Sequence, residues 1–377
     1  MSASHVPRRV VDLPTPALVL DIAALDRNIR RMADAFRDGP SRLRPHVKAH
    51  KTPEIARRQL SAGSCVGLTC ATVSEAESVS RLCDDILIAN EVVGPGKCER
   101  VAALAQRVRM TVAVDSAAGL DAIGRAATCA GVTVGVLVDL NVGQMRCGVL
   151  PGDEALALAR LVMSAGGVAL RGLMGYEGHV VGLPERSERE ARARVAMDGL
   201  VESAHMLRMN GLPCEVVSAG GTGTFDISGR IPGITEIQAG SYVLMDAEYG
   251  RLDIPFEQAF WVLGTVISRP DTTRVVADCG HKSVAKDHGL PHVRDNIGGA
   301  SVVSLNDEHA TIACQPGCDL RIGDRVFLRP SHTDPTINLH DVFYVIDGDH
   351  VADVWPITAR GYAEHRKVLG APDVYSV

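Results

Sequence analysis

The chain has 377 residues, a formal net charge of −6, 46% hydrophobic and 22% charged residues. That balance offers no basic footprint for nucleic acid, and no apolar run reaches the ~20 residues a membrane span needs, so neither partner class is expected. The length exceeds one average domain but suits a barrel of ~250 residues with a smaller module. Met1 to Arg9 lead into no apolar, leader-like segment. The ten cysteines stand singly apart from Cys314 and Cys318, which speaks against a disulfide framework or a paired zinc knuckle. A cytoplasmic, enzyme-sized protein with reduced thiols is the expectation.

Residues 16–21 read as a short buried strand, and 22–36 carry apolar residues at helical spacing. Eight apolar, strand-like runs follow, at 43–47, 66–71, 86–90, 110–115, 134–140, 170–176, 215–219 and 236–239. Amphipathic helical stretches separate them, among them 53–62, 73–82, 98–107, 117–130, 154–165 and 187–210, the last with Ser187 and Glu190 spaced as a capping box. Eight βα units predict a TIM-type (β/α)8 barrel. Beyond residue 250 the runs 260–268, 273–277, 301–305, 311–314, 325–328, 342–346 and 351–355 predict an antiparallel β-domain, with Asp347-Gly348-Asp349 as a hairpin turn. The expected division is residues 1–28, an opening strand and helix packing with the β-domain; 29–250, the barrel; and 251–377, the β-domain.

Catalytic groups of such barrels lie at the carboxyl ends of the strands, and a phosphate is often held by the loops after strands seven and eight. Here those loops are Ser218-Ala-Gly-Gly-Thr222-Gly223-Thr and Gly240-Ser241-Tyr242. Glycines let backbone N–H groups crowd a phosphate, and hydroxyls add donors. The first strand delivers Lys48, the fifth leads to Arg146, and the sixth to Tyr176-Glu-Gly-His179. A lysine in apolar surroundings sheds part of its pKa and becomes a nucleophile toward carbonyls or pyridoxal phosphate. A lysine tether, a phosphate cradle, an arginine near the phenolate oxygen and an aromatic ring together meet the needs of pyridoxal phosphate. Each has an ordinary alternative: a lysine in a basic surface loop, flexible turns, a surface ion pair for Arg146, a core ring for Tyr176. In Pro330-Ser-His332-Thr-Asp334-Pro-Thr336, an extended backbone would point His332 and Asp334 to one side, able to chelate a divalent ion in an open site. A solvated polar loop is the alternative there.

The segments His46-Val-Lys48-Ala-His-Lys51, Gly143-Gln-Met-Arg146-Cys-Gly148, Gly220-Gly-Thr222-Gly223, Gln238-Ala-Gly240-Ser241-Tyr242 and 330–336 resemble the D-threonine aldolase and D-serine dehydratase family over essentially the whole chain. The resemblance implies an alanine-racemase-like fold, a homodimer, pyridoxal phosphate and a neighbouring divalent metal. It implies Lys48 as the Schiff-base lysine and Arg146 and Tyr176 as cofactor contacts. Thr222, Gly223, Gly240 and Ser241 fall at the phosphate, with Ser218 and Tyr242 in the same loops, and His332 with Asp334 as metal ligands. Dehydratase-like members tend toward His-x-Cys, aldolase-like ones toward His-x-Asp, so Asp334 implies an aldolase. An all-N/O site favours Mn²⁺ or Mg²⁺, with Co²⁺ or Zn²⁺ as alternatives. The expected substrate is a D-β-hydroxy-α-amino acid of the D-threonine type, cleaved to glycine and an aldehyde, with His179 or a metal-bound water as base. The alternatives on the same scaffold are a D-3-hydroxyaspartate aldolase, with Lys282 or Arg251 meeting the second carboxylate, and a dehydratase of D-serine or 3-hydroxyaspartate. Two departures stand out: Met145 where a glycine is frequent, and Glu-Gly-His179 where some aldolases have His-Gly.

Overall fold

The computed structural model describes residues 8–294 and 299–361; the first seven residues and 362–377, included in the division above, lie outside the described residues. Strand β1, Ala17–Asp21, is an aliphatic run buried over its first four residues, and it does not enter the barrel. It pairs antiparallel with Phe260–Leu263 and parallel with Tyr344–Ile346. Asp21 then caps the helix Ile22–Ala35, accepting from the Ala24 N–H at 2.9 Å.

The barrel strands are β2 (Arg42–Leu43), β3 (Leu68–Cys70), β4 (Asp85–Glu91), β5 (Arg109–Val114), β6 (Val134–Asp139), β7 (Val168–Met174), β8 (Val216–Ala219) and β9 (Glu236–Ile237). They form an eight-stranded parallel sheet in the order β2-β9-β8-β7-β6-β5-β4-β3. Strands covered on both faces read as continuous aliphatic runs, and β6 is buried along its whole length. The sheet closes between β2 and β3 through two parallel bridges, Leu43 to Cys65 and His46 to Thr69. The eight expected barrel strands are all present, but the first is shorter than 43–47. Pro45 has no N–H for the ladder, and Val47–Ala49 turn into a 3-10 helix, with the Lys51 N–H donating to the Val47 carbonyl at 2.7 Å.

A charge network fills the barrel interior at the seam. Arg44, whose side chain is 3% exposed, donates from Nε to Glu236 Oε1 at 2.9 Å and from Nη1 to Asp85 Oδ1 at 2.9 Å. Arg171 approaches the same Asp85 at 3.4 Å and donates to Thr111 Oγ1 at 2.7 Å. The helices use ordinary caps: Thr72 accepts from the Glu75 N–H, and Ser116 from the Gly119 N–H. The capping box expected at Ser187 and Glu190 does not form. The helix Arg186–Met209 starts earlier, with Glu185 at its N-cap, so Ser187 is already inside the first turn and bonds Glu185, while Glu190 pairs with Arg194.

The second sheet comprises β1, β10 (Phe260–Asp271), β11 (Arg274–Ala277), β12 (His292–Val293), β13 (Ser301–Leu305), β14 (Ala310–Ala313), β15 (Arg325–Arg329), β16 (Val342–Asp347) and β17 (His350–Pro356). All its pairs are antiparallel except β1 with β16. The β16–β17 hairpin turns through Gly348 at φ +58, the left-handed conformation that a two-residue hairpin loop demands. The segment 330–336 departs from the expected extended course. His332 is extended, as the N-cap of a short helix, Thr333–Asn338, in which Pro335 occupies the first turn, where no N–H is needed. One hydrophobic cluster runs through both parts, from Leu25 and Val217 to Val326 and Phe343. No described helix is long and apolar enough to cross a membrane.

Removing the guanidinium takes the cation from buried Glu236 and one of several cations from Asp85 at the seam. Arg44→Met is expected to destabilise the chain by about 3–5 kcal/mol in urea unfolding, far more than Arg37→Met, which loses only a surface pair.

Candidate active site

A cavity of ≈ 320 Å³ opens at the carboxyl ends of the barrel strands; its lining includes Lys48, Arg146, Tyr176, Thr222, Gly240 and Ser241. Five different strand ends supply these residues, as the positional argument from the sequence requires. The two lysines of the 46–51 segment have separate fates. Lys51 Nζ sits 2.5 Å from Glu75 Oε1, with side chains 14% and 1% exposed. Lys48, on the 3-10 turn, faces the cavity with a side chain 41% exposed, and its Nζ lies 3.6 Å from Asp334 Oδ2 of the second domain.

That carboxylate overturns the expected pKa of Lys48. Asp334 raises it above the ordinary lysine value, and burial acting the other way does not cancel the effect. His46, which also lines the cavity, is held well below its ordinary value by burial and then by the Lys48 ammonium. Burial pushes the Tyr176 phenol up, and the Arg146 guanidinium lies 5.9 Å above that ring. At the end of β6, burial and then Glu91 raise the Asp139 carboxyl to about 8. Glu91 Oε1 is buried without a hydrogen-bond partner among the described residues.

The two glycine loops are built to approach closely. A Cβ on Gly240 would come 2.9 Å from the His46 carbonyl, and one on Gly223 would come 1.8 Å from the Val181 carbonyl. The Tyr242 N–H donates to Thr222 Oγ1 at 3.0 Å, joining the loops. The first N–H groups of the 3-10 turn Ser241–Val243 have no intrahelical acceptor. Buried Glu177 anchors the first loop: its carboxylate accepts from the Gly220 N–H, Thr224 Oγ1 and Ser228 Oγ at 3.2, 2.7 and 2.5 Å.

Other expected site residues lie elsewhere. The Tyr242 ring is in the core, its hydroxyl accepting from Gln59 Nε2 at 2.9 Å, because Gln59 and His50 form a buried polar chain there. Ser218 is fully buried, and its Oγ accepts from Gln238 Nε2 at 2.8 Å, so Gln238 faces the cavity in its place. His179 is exposed outside the lining, with its ring against Gly143. His332 and Asp334 diverge: Asp334 meets Lys48 and keeps a buried Oδ1 without a partner among the described residues, whereas His332 meets Asp287 and stacks on His288. Asp287, His288 and His332 could hold a metal ion together. Lys282 and Arg251 are exposed and paired with Glu308 and Glu248. Sequence reasoning missed Glu177, Gln238, Tyr249, Asp287 and His288. Gln238 alone carried a usable signal, adjoining the second glycine loop.

Glu177→Ala leaves three buried donors without an acceptor, at about 1–3 kcal/mol each if they stay dry. Rebinding of pyridoxal phosphate to the apo-protein, followed by fluorescence, is expected to weaken at least roughly tenfold. His50 gives a pH signature. Burial lowers it from 6.5 to about 4, so the unfolded chain takes up this proton first. Its contribution is present above pH 6.5 and is lost as the pH falls toward 4, worth about 3 kcal/mol. Urea unfolding of His50→Gln between pH 4 and 7 is expected to show a correspondingly flatter profile.

Residues 20–248 match the family model for the alanine racemase N-terminal domain, and 259–346 that for a putative serine dehydratase domain. The chain is 40% identical to a D-threonine aldolase from an Arthrobacter species, over 93% of each chain. It is 34% identical to a 3-hydroxy-D-aspartate aldolase from Paracoccus denitrificans, again over 93% of each. The crystal structure of D-threonine aldolase from Filomicrobium marinum superposes with a TM-score of 0.91 at 40% identity, covering 95% of this chain and 98% of that one. With both domain types matched in order and the same fold in a relative of this identity, the chain belongs to the D-threonine aldolase and D-serine dehydratase family, on an alanine-racemase-like fold.

Proposed function

We propose that the protein is a pyridoxal-phosphate- and divalent-metal-dependent lyase that cleaves D-β-hydroxy-α-amino acids of the D-threonine type to glycine and an aldehyde. The observation that carries the reading is the meeting of Lys48 with Asp334, 3.6 Å apart, at one glycine-lined cavity. The cavity fits the cofactor, and Asp334 offers a metal one open acceptor, while His332, turned to Asp287 through Nδ1, would present its other nitrogen. The cavity volume of ≈ 320 Å³ is at the small end of ligand sites, two loops have no room for a Cβ, and Asp334 Oδ1 is a buried acceptor without a donor. Lys48 would hold the cofactor, Arg146 and Tyr176 would contact it, and the loops of Thr222–Gly223 and Gly240–Ser241 would take its phosphate. His332 and Asp334 would hold the metal, for which N/O donors favour Mn²⁺ or Mg²⁺.

When bound, pyridoxal phosphate supplies an electron sink at Cα and the cation Lewis-acid polarisation of the β-hydroxyl. The overall cleavage removes the hydroxyl proton, breaks the Cα–Cβ bond and returns a proton to Cα. Among this chain's groups, His46 is neutral and hence unable to repel the Lys48 ammonium. Glu177 keeps the phosphate-side loop in place. His179, exposed after β7 and outside the cavity lining, would have to turn toward the cavity to take the hydroxyl proton on an imidazole nitrogen. Lys282 and Arg251 are committed to surface pairs, which favours a small neutral substrate side chain over a second carboxylate. The homodimer rests on the family resemblance, and the cytoplasmic location on composition and charge.

Purified protein with D-threonine and Mn²⁺ is expected to release glycine and acetaldehyde in equal amounts. Ammonia and a keto acid instead would make it a dehydratase. Lys48→Ala is expected to lose the near-visible absorbance of the bound cofactor and at least 10³-fold in kcat, and Lys51→Ala to keep the absorbance. An unchanged spectrum in Lys48→Ala would sink the assignment.

A further inference from the structure

His332 comes from the loop after β15, and Asp287 and His288 from the loop between β11 and β12. The three meet at the edge of the second domain. His332 Nδ1 lies 2.5 Å from Asp287 Oδ2, and the His332 ring stacks on His288 with centroids 4.1 Å apart and planes within 3°. His288 Nε2 is 3.9 Å from the same carboxylate oxygen. Asp287 has two conceivable parts beside a metal, as a ligand or as the partner of one.

His332 Nδ1 and Asp287 Oδ2 are at hydrogen-bond separation, and an ionised carboxylate oxygen can only accept. Nδ1 is therefore the donor to Asp287, and a neutral imidazole with its proton on Nδ1 carries its lone pair on Nε2. A histidine that ligates a metal characteristically gives its other N–H to a carboxylate, which fixes tautomer and ring orientation and strengthens the ligand. The stack on His288 restrains the same ring plane. Asp334, which follows two residues later, has its unpartnered Oδ1 still to satisfy.

We infer that Asp287 is a positioning residue of the metal centre: its carboxylate holds His332 in the tautomer that offers Nε2 to a divalent cation, while His288 stacks and does not ligate. The inference rests on the proposed reading of His332 as a metal ligand.

The test is titration of the holoenzyme with Mn²⁺, with free Mn²⁺ read by electron paramagnetic resonance. Asp287→Ala and Asp287→Asn are expected to raise the Mn²⁺ Kd by roughly 10–100-fold, with the thermal midpoint and the cofactor spectrum unchanged. Asp287→Glu, which keeps a carboxylate, should recover part of the affinity. His288→Phe keeps the stack and should stay within about threefold of the parent, since no metal bond is lost. An Asp287→Ala Kd within twofold of the parent, beside a His332→Ala variant that no longer binds, would overturn the inference and leave His332 a ligand. A loss in His288→Phe as large as in His332→Ala would overturn it in favour of direct ligation by the cluster. Parent-like binding by His332→Ala would remove the ligand reading, and the inference with it.

Discussion

The buried Arg44 guanidinium is the constraint on which the site depends. The barrel closes between β2 and β3 through only two bridges, and β2 itself is two residues long. Arg44 continues that strand and binds Glu236 of the neighbouring β9 and Asp85 of β4 across the interior. Its charge is compensated by both carboxylates, which outweigh the cost of burial. The next residues are Pro45, His46, Val47 and Lys48. A seam with so few backbone bonds could not by itself fix a lysine four residues on; the ionic anchor and the Thr69 N–H to Pro45 carbonyl bond do so together.

A second lesson concerns the 3-10 turn. Continued as a strand, the segment would point Val47 and Lys48 to opposite faces, and the lysine's side would follow from register alone. The missing N–H of Pro45 ends the ladder, the chain tightens, and Lys51 at φ +54 swings back to buried Glu75. One basic segment thereby splits into a structural lysine and a cavity lysine. Met145, where the family often has glycine, has φ +56 and is exposed. The conformation that glycine would adopt freely is kept here, with the Met145 N–H donating to Asn141 Oδ1 at 3.0 Å.

The barrel, the β-domain and the cavity wall were legible because each follows from periodicity and from the rule that places catalytic groups at strand carboxyl ends. Lys48, Arg146, Tyr176, Thr222, Gly240 and Ser241 all satisfy that rule and line the cavity. What failed were statements about side-chain direction within loops. Tyr242 turns inward because Gln59 offers its hydroxyl a partner. His332 and Asp334 were to share a face of an extended segment, but Pro335 suits a helical first turn and parts them. Glu177, Asp287 and His288 meet partners distant in sequence, and no local pattern encodes such pairs.

The charge of Lys48 shows why local composition misleads at a site assembled from two domains. Read within the barrel alone, its apolar surroundings predict a depressed pKa. The deciding group is Asp334, nearly three hundred residues later, which reverses the sign. A carboxylate with one oxygen buried and unpartnered and the other 3.6 Å from an ammonium is incompletely compensated. It still attracts positive charge, and any further cation drawn to it opposes the Lys48 ammonium by like-charge repulsion. The direction of the Lys48 shift is thus set first by a carboxylate of the second domain, which the helix Thr333–Asn338 carries to the barrel mouth.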